Sequence, residues 1–111
     1  MKKSIVNQLA HWLATRRAKL DQAGVEIDAR LPRSSTNDFP WKAGITLVKD
    51  DILVMFTVWE RTVYQTELMI EDGLARKTLR YKEATPQRPE EIEPTLDAVM
   101  DELIAGTYRR H

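Results

Sequence analysis

Apolar residues near the amino terminus recur at helical spacing. Between Ser4 and Gly24 they fall largely at intervals of three and four, the pattern of an amphipathic helix with one buried face. Serine favours the start of a helix, and glycine favours the position just past its end. The sequence therefore predicts a first helix between these two residues. Its apolar positions are Ile5, Val6, Leu9, Trp12, Leu13 and Leu20.

The segment that follows, residues 25–40, has no regular apolar period. Prolines and small polar residues dominate it, a composition typical of a connection. Only its first part, from Val25 to Leu31, leaves room for one short extra strand.

Beyond the connection, from Trp41 to about Lys82, the apolar period changes to two. β-branched and aromatic residues become frequent there, which predicts consecutive strands. Four antiparallel strands are expected, near residues 43–49, 52–59, 63–71 and 74–82. The last turn includes Gly73, which tolerates the positive φ of a two-residue hairpin turn. The three predicted turns are Asp50-Asp51, Glu60-Arg61-Thr62 and Asp72-Gly73.

Two prolines, Pro86 and Pro89, end the sheet, because proline lacks the donor that a strand ladder needs. Helical spacing then returns and continues to Gly106. The predicted fold is α+β in one domain over residues 1–111: an N-terminal helix, a four-stranded antiparallel meander and a C-terminal helix. The apolar positions of the second helix are Ile92, Leu96, Val99, Met100, Leu103 and Ile104.

Strand alternation sorts the side chains of the meander onto two faces. Both helices are expected to cover one face, and no further long helix is predicted for the other. The alternatives are that the helices lie on opposite sides, or that residues 25–40 fold over the second face. The expected core face carries Ile45, Leu47, Ile52, Val54, Phe56, Val58, Tyr64, Leu68, Ile70, Ala75, Leu79 and Tyr81. The expected uncovered face carries Val48, Leu53, Met55, Thr57, Trp59, Val63, Gln65, Glu67, Met69, Arg76, Thr78, Arg80 and Lys82.

The uncovered face combines tryptophan, methionine and arginine, residue types that suit protein interfaces. We therefore predict that it binds another protein. Trp41 fits a buried core position as well as it fits an interface anchor. The Glu60-Arg61 turn fits a solvated pair as well as it fits part of the binding site. The candidate partner-binding residues are Trp41, Leu53, Met55, Trp59, Glu60, Arg61, Glu67, Met69, Arg76 and Arg80.

Charge and composition narrow the class of function. The 17 basic and 17 acidic side chains cancel, which disfavours nucleic acid and anionic membranes as partners. No cysteine is present, and no apolar run reaches transmembrane length, so a cytoplasmic protein without a signal peptide is expected. Residues 1–20 carry only bases and residues 90–102 only acids. The two segments are expected to attract each other, most simply as solvated faces of two adjacent helices.

Motifs for catalysis or cofactor binding are missing from the sequence. The scattered glycines form neither a P-loop nor a dinucleotide-binding motif, and no nucleophile motif occurs. His11 and His111 lack the spacing of metal ligands. We therefore expect no enzyme activity, cofactor or metal site.

Two stretches resemble the TriTu-type immunity proteins: residues 39–47, FPWKAGITL, and residues 56–68, in which FTVWERT leads to QTEL. Proteins of this family are small and cytosolic, and they are encoded beside type VI secretion toxins that ADP-ribosylate elongation factor Tu. The resemblance implies that this chain binds and inhibits its cognate toxin. It also marks Trp41, Trp59, Glu60 and Arg61 as matched positions to test.

Two other functions remain open at this stage. A homodimeric adaptor or secretion chaperone would bury the same sheet face against its own copy, whereas an immunity protein is expected to be a monomer when free. An enzyme acting on a small molecule would use Glu60, Arg61 and Tyr64.

Overall fold

The computed structural model describes residues 4–31 and 41–109, and these residues form two α-helices and five β-strands. The strands pair antiparallel in chain order, so the sheet is a meander. The predicted α+β class and the order of helix, meander and helix are confirmed. The predicted number of four strands is wrong, because the segment that left room for a short strand adds one at the edge. The elements are α1 (Ile5–Gln22), β1 (Glu26–Arg30), β2 (Trp41–Lys49), β3 (Ile52–Glu60), β4 (Tyr64–Asp72), β5 (Lys77–Ala84) and α2 (Ile92–Ala105).

Helix α1 lies between the two residues that the sequence indicated, Ser4 and Gly24. The Ser4 hydroxyl accepts a hydrogen bond of 3.1 Å from the backbone N–H of Asn7. At the other end Gly24 takes φ +78°, and the N–H of Val25 donates to the carbonyl of Leu20 over 3.0 Å. This bond turns the chain out of the helix and into the sheet, and it is the pattern that a glycine favours at a helix end.

Both helices pack on one side of the sheet. Their buried side chains form one core with the inward-facing residues of β2, β3 and β4. Trp12 is fully buried, and its indole N–H donates to Asp97 of α2 over 2.8 Å. The basic and acidic segments meet along the same seam, where Arg16 pairs with Asp97 at 2.9 Å. The expected attraction between these segments is therefore seen, between helices packed side by side.

The first two hairpins place their side chains on the predicted faces. Asp50 and Asp51 form the expected two-residue turn between β2 and β3, with φ of 52° and 69°. The second connection is residues 61–63 and not 60–62, so Trp59 lies opposite Gln65 and not opposite Val63. An offset of two residues leaves every side chain on the same face of the sheet, because strand alternation has a period of two.

The last hairpin differs from the prediction in its turn. The connection is residues 73–76, and β5 begins only at Lys77. Gly73 does not have the positive φ that we expected; Arg76 does, at 54°. What glycine provides here is space, because a Cβ on Gly73 would lie 2.9 Å from a methyl carbon of Leu53 and 3.1 Å from the carbonyl oxygen of Asp51.

A β-bulge at Leu79 reverses the predicted faces of β5 beyond that point. Glu71 pairs with Thr78, but the next residue of β4, Ile70, pairs with Arg80, so Leu79 has no partner. One extra residue on one strand moves all later side chains to the other face. Tyr81 is therefore not in the core as predicted, and Arg80 and Lys82 are on the side of the helices.

Candidate protein-binding face

We use "open face" for the side of the sheet opposite α1 and α2. Strand alternation and the pairing register define its members. The predicted uncovered face thus exists over β2, β3 and β4, and the alternative of one helix on each side is wrong for this fold. Residues 32–40, which the other alternative placed over this face, lie outside the described residues. The charged and aromatic members of the open face are Glu26, Asp28, Arg30, Lys42, Trp59, Glu67, Glu71, Tyr81 and Glu83.

An apolar row follows the centre of the open face. Leu53, Met55 and Trp59 project from β3, and Met69 of β4 lies directly opposite Met55. All four side chains are partly exposed, whereas the alternate residues of β3 are buried. Methionine adapts to the shape of a partner, and tryptophan provides a large rigid contact. The structure brings these four predicted residues together.

Trp59 lies at one end of this row, between two polar neighbours. Lys42 is opposite it on β2, with the ammonium nitrogen 5.5 Å from the ring centre, within the range of a cation–π interaction. On the other side, a depression of about 520 Å³ is lined by Trp59, Gln65 and Glu67 together with Arg61 and Glu83. Trp59 therefore lines a depression in which its neighbours are mainly polar or charged side chains.

Next to this depression, two carboxylates of the open face flank one phenol. Glu67 and Glu83 lie opposite each other across β4 and β5. The hydroxyl of Tyr81 is 2.7 Å from a carboxylate oxygen of Glu67 and 2.8 Å from one of Glu83. The hydrogen bond with Glu67, and after it the one with Glu83, raises the pKa of the Tyr81 phenol above its usual range. The phenol is thus kept protonated and can donate to either of the two acids.

A second depression lies on the β1 side of the row. It measures about 380 Å³ and reaches from Asp28 and Arg30 to Met55 and Thr57. Gly44 lines it without a side chain, and a Cβ at this position would lie 3.6 Å from the hydroxyl oxygen of Thr57. The apolar row is therefore bordered by a depression on each side.

Glu60 belongs to β3 and not to the turn in which the sequence placed it, and it does not lie on the open face. It is the last residue of β3 and lies on the side of the helices, where one carboxylate oxygen accepts from the Ser4 hydroxyl and the Ile5 N–H, both at 2.8 Å. A third, longer bond of 3.4 Å comes from the N–H of Val6. Glu60 therefore caps helix α1, because the first N–H groups of a helix have no acceptor within it.

The predicted arginines are dispersed around the sheet. Arg61 is exposed in the β3–β4 connection and lines the depression beside Trp59. Arg76 is exposed in the β4–β5 connection, before the strand begins. Arg80 is on the side of the helices, where it pairs with Glu102 of α2 at 3.2 Å and lies 5.6 Å from the ring centre of Tyr108. Its assignment to the uncovered face was wrong because of the bulge.

Trp41 begins β2, opposite Glu60 in the register, and its side chain is outside the described part of the structure. Seven charged or aromatic residues of the open face were not among the candidates: Glu26, Asp28, Arg30, Lys42, Glu71, Tyr81 and Glu83. The position of Lys42 follows from the two-residue turn at Asp50-Asp51, which pairs it with Trp59. No local sequence signal marks the bulge that turns Tyr81 and Glu83 outward.

Other kinds of site receive no support from the arrangement of residues 4–31 and 41–109. In those ranges no group of three or more histidine, aspartate or glutamate side chains is placed to hold a metal ion. Neither of the described helices is long and apolar enough to cross a membrane. No family model, curated protein or solved structure matches the chain.

Proposed function

We propose that this chain is a protein-binding inhibitor, an immunity protein that neutralises a cognate bacterial ADP-ribosyltransferase toxin in the cytoplasm. The observation that supports binding is the apolar row of Leu53, Met55, Trp59 and Met69, partly exposed at the centre of the open face. Apolar anchors framed by polar residues are typical of protein interfaces. The toxin as partner is supported only by the resemblance of residues 39–47 and 56–68 to the immunity family.

The roles of the matched residues can be separated. Trp59 and Arg61 border the same depression and are proposed to touch the toxin. Glu60 is engaged with α1, so we propose that it acts by fixing that helix on the sheet. An inhibitor of this kind needs a rigid face and no active centre of its own.

The experiment uses the purified chain and the toxin encoded beside it. The chain should form a stable complex with the toxin and suppress its ADP-ribosyltransferase activity at equimolar amounts. Trp59→Ala should weaken the complex by roughly 30-fold or more, as expected for a tryptophan anchor in an interface. Leu74→Ala is the matched control, since Leu74 is 81% exposed in the β4–β5 connection and not on the open face.

The same experiment also tests the alternative function, a homodimeric adaptor. A chain that neither binds nor inhibits the toxin refutes the proposed function. If it sediments as a dimer that Trp59→Ala dissociates, the homodimeric adaptor replaces it, because the open face is then buried against a second copy.

A further inference from the structure

The acidic side chains of the described residues fall into two groups according to the side of the sheet. On the helix side, the four acids of α2 are ion-paired: Glu93 and Asp97 with Arg16, Asp101 with Lys19, and Glu102 with Arg80. On the open face, four carboxylates form no ion pair with any residue in the described ranges. These four are Glu26, Glu67, Glu71 and Glu83.

Basic side chains of the open face are already engaged within it. Arg30 lies 3.8 Å from the carboxylate of Asp28, and Lys42 lies over the ring of Trp59. The open face therefore carries five carboxylates and two basic side chains, and both basic side chains already contact another residue of the face. The face is net negative although the whole chain is neutral. The carboxylates are Glu26, Asp28, Glu67, Glu71 and Glu83, and the bases are Arg30 and Lys42.

The negative charge is closest to the apolar row at the β4–β5 edge. Glu67 and Glu83 are directly opposed, an arrangement that destabilises a sheet when both side chains are charged. Tyr81 has a single hydroxyl proton, so it donates to only one of the two carboxylates at a time. Arg61 at the rim offsets one of the two charges and leaves the depression beside Trp59 negative.

We propose that the open face binds a partner protein whose contacting surface is positively charged, with an arginine or lysine side chain in the depression between Trp59 and the Glu67–Glu83 pair. This inference rests on the proposed function, since it takes the open face to be the protein-binding surface. A second copy of the chain is the poorer occupant, because it would bring its own unpaired carboxylates against the first set. Charge complementarity of this kind increases the association rate and rejects like-charged partners.

The first test needs no natural partner. The isotope-labelled full chain is titrated with a peptide of alternating arginine and leucine, and separately with one of alternating glutamate and leucine, while amide and indole NMR signals are followed. The basic peptide should shift the Trp59 indole signal and the amides of Glu67 and Glu83, and added salt should reverse the shifts. The proposal is overturned if these signals do not move, or if the acidic peptide moves them equally.

The second test measures affinity for the toxin encoded beside the chain. Replacing Glu67→Gln and Glu83→Gln together should weaken binding by roughly 5- to 30-fold at low salt, the loss expected for two partly exposed ion pairs. The control is Asp21→Asn with Asp101→Asn, which removes the same charge from exposed positions on the helices and should leave affinity unchanged. Tyr81→Phe keeps both carboxylates and should also retain affinity.

These two tests distinguish failure of the inference from failure of the proposed function. If the toxin binds the parent chain and the Glu67→Gln, Glu83→Gln variant equally well, the charge inference is wrong and the inhibitor proposal stands. An equal loss with Tyr81→Phe also overturns the inference, because the effect is then one of local structure. If the basic peptide binds as expected but the toxin does not, the inference stands and the toxin is the wrong partner.

Discussion

Removing the carboxylate of Glu60 should destabilise the fold through helix α1. This carboxylate receives hydrogen bonds from the hydroxyl of Ser4 and from the N–H groups of Ile5 and Val6, the first two of the helix. Losing a cap costs about 0.5–2 kcal/mol, and a hydrogen bond to a charged group contributes about 1.5–3 kcal/mol. Ser4 still caps Asn7 in the variant, and water can reach the partly exposed site, so we expect a loss of about 2 kcal/mol for Glu60→Ala.

Glutamine at position 60 separates the charge from the hydrogen bonds. Glu60→Gln keeps an acceptor oxygen but loses the attraction between a carboxylate and the positive end of the helix dipole, which amounts to about 0.3–1 kcal/mol. The expected loss is therefore about half that of alanine. In a domain of this size, 1 kcal/mol corresponds to a change in Tm of roughly 4–8 °C, so the two variants should be resolved by thermal unfolding.

Urea unfolding followed by circular dichroism measures the free energies directly. Arg61→Ala is the control, because Arg61 is the exposed neighbour of Glu60 and its replacement should change stability by less than about 0.5 kcal/mol. The capping argument fails if Glu60→Ala also stays within that margin, or if glutamine is as damaging as alanine. An unchanged urea dependence in both variants would confirm that the denatured state is not the cause.

Two further predictions concern acid stability and a turn. Hydrogen bonding to Arg16 holds the pKa of Asp97 below its usual range, so the pair stabilises the fold above about pH 4, and this contribution is lost as the pH falls through the lowered pKa. Asp97→Asn should therefore be less stable than the parent near pH 7. Urea unfolding at several pH values should show the difference in stability narrowing below about pH 4. At the first hairpin turn, Asp51 has φ 69°, so Asp51→Gly should leave stability unchanged or raise it by up to about 1 kcal/mol, and Asp51→Val should lower it by about 1–2 kcal/mol. Equal stability of the glycine and valine variants would contradict the role assigned to this backbone conformation.

Local signals in the sequence were sufficient for most of the fold. Ser4 and Gly24 flank α1 and mark where it starts and ends. The faces of β2 and β3 follow from a two-residue turn at Asp50-Asp51. For β4 the turn was placed wrongly, yet the error of two residues preserved the alternation. Short-range chemistry thus fixes both the elements and the side of the sheet on which Leu53 and its neighbours lie.

The misplaced residues depend on longer-range geometry. Arg80 and Tyr81 each lie on the face opposite to the predicted one because of a bulge at Leu79. A bulge adds a single residue to a strand, and the amino-acid composition does not indicate where it forms. Gly73 is needed because the first and last hairpin turns approach each other, a contact between residues 51 and 73 that a local reading of φ cannot reveal. The candidate site was therefore predicted well in its apolar centre and poorly at its charged β5 edge.

Trp59 and Glu60 show how closely recognition and stability are combined in this sheet. They are adjacent in sequence, but strand alternation directs Trp59 to the open face and Glu60 to the helices. A loss of partner binding after a change at position 60 would therefore reflect the position of α1 or the population of folded chain, whereas a loss after a change at position 59 would reflect the contact itself. Because the two side chains share no partner, their effects on stability should add in the double variant, and the effect on affinity should come from Trp59 alone.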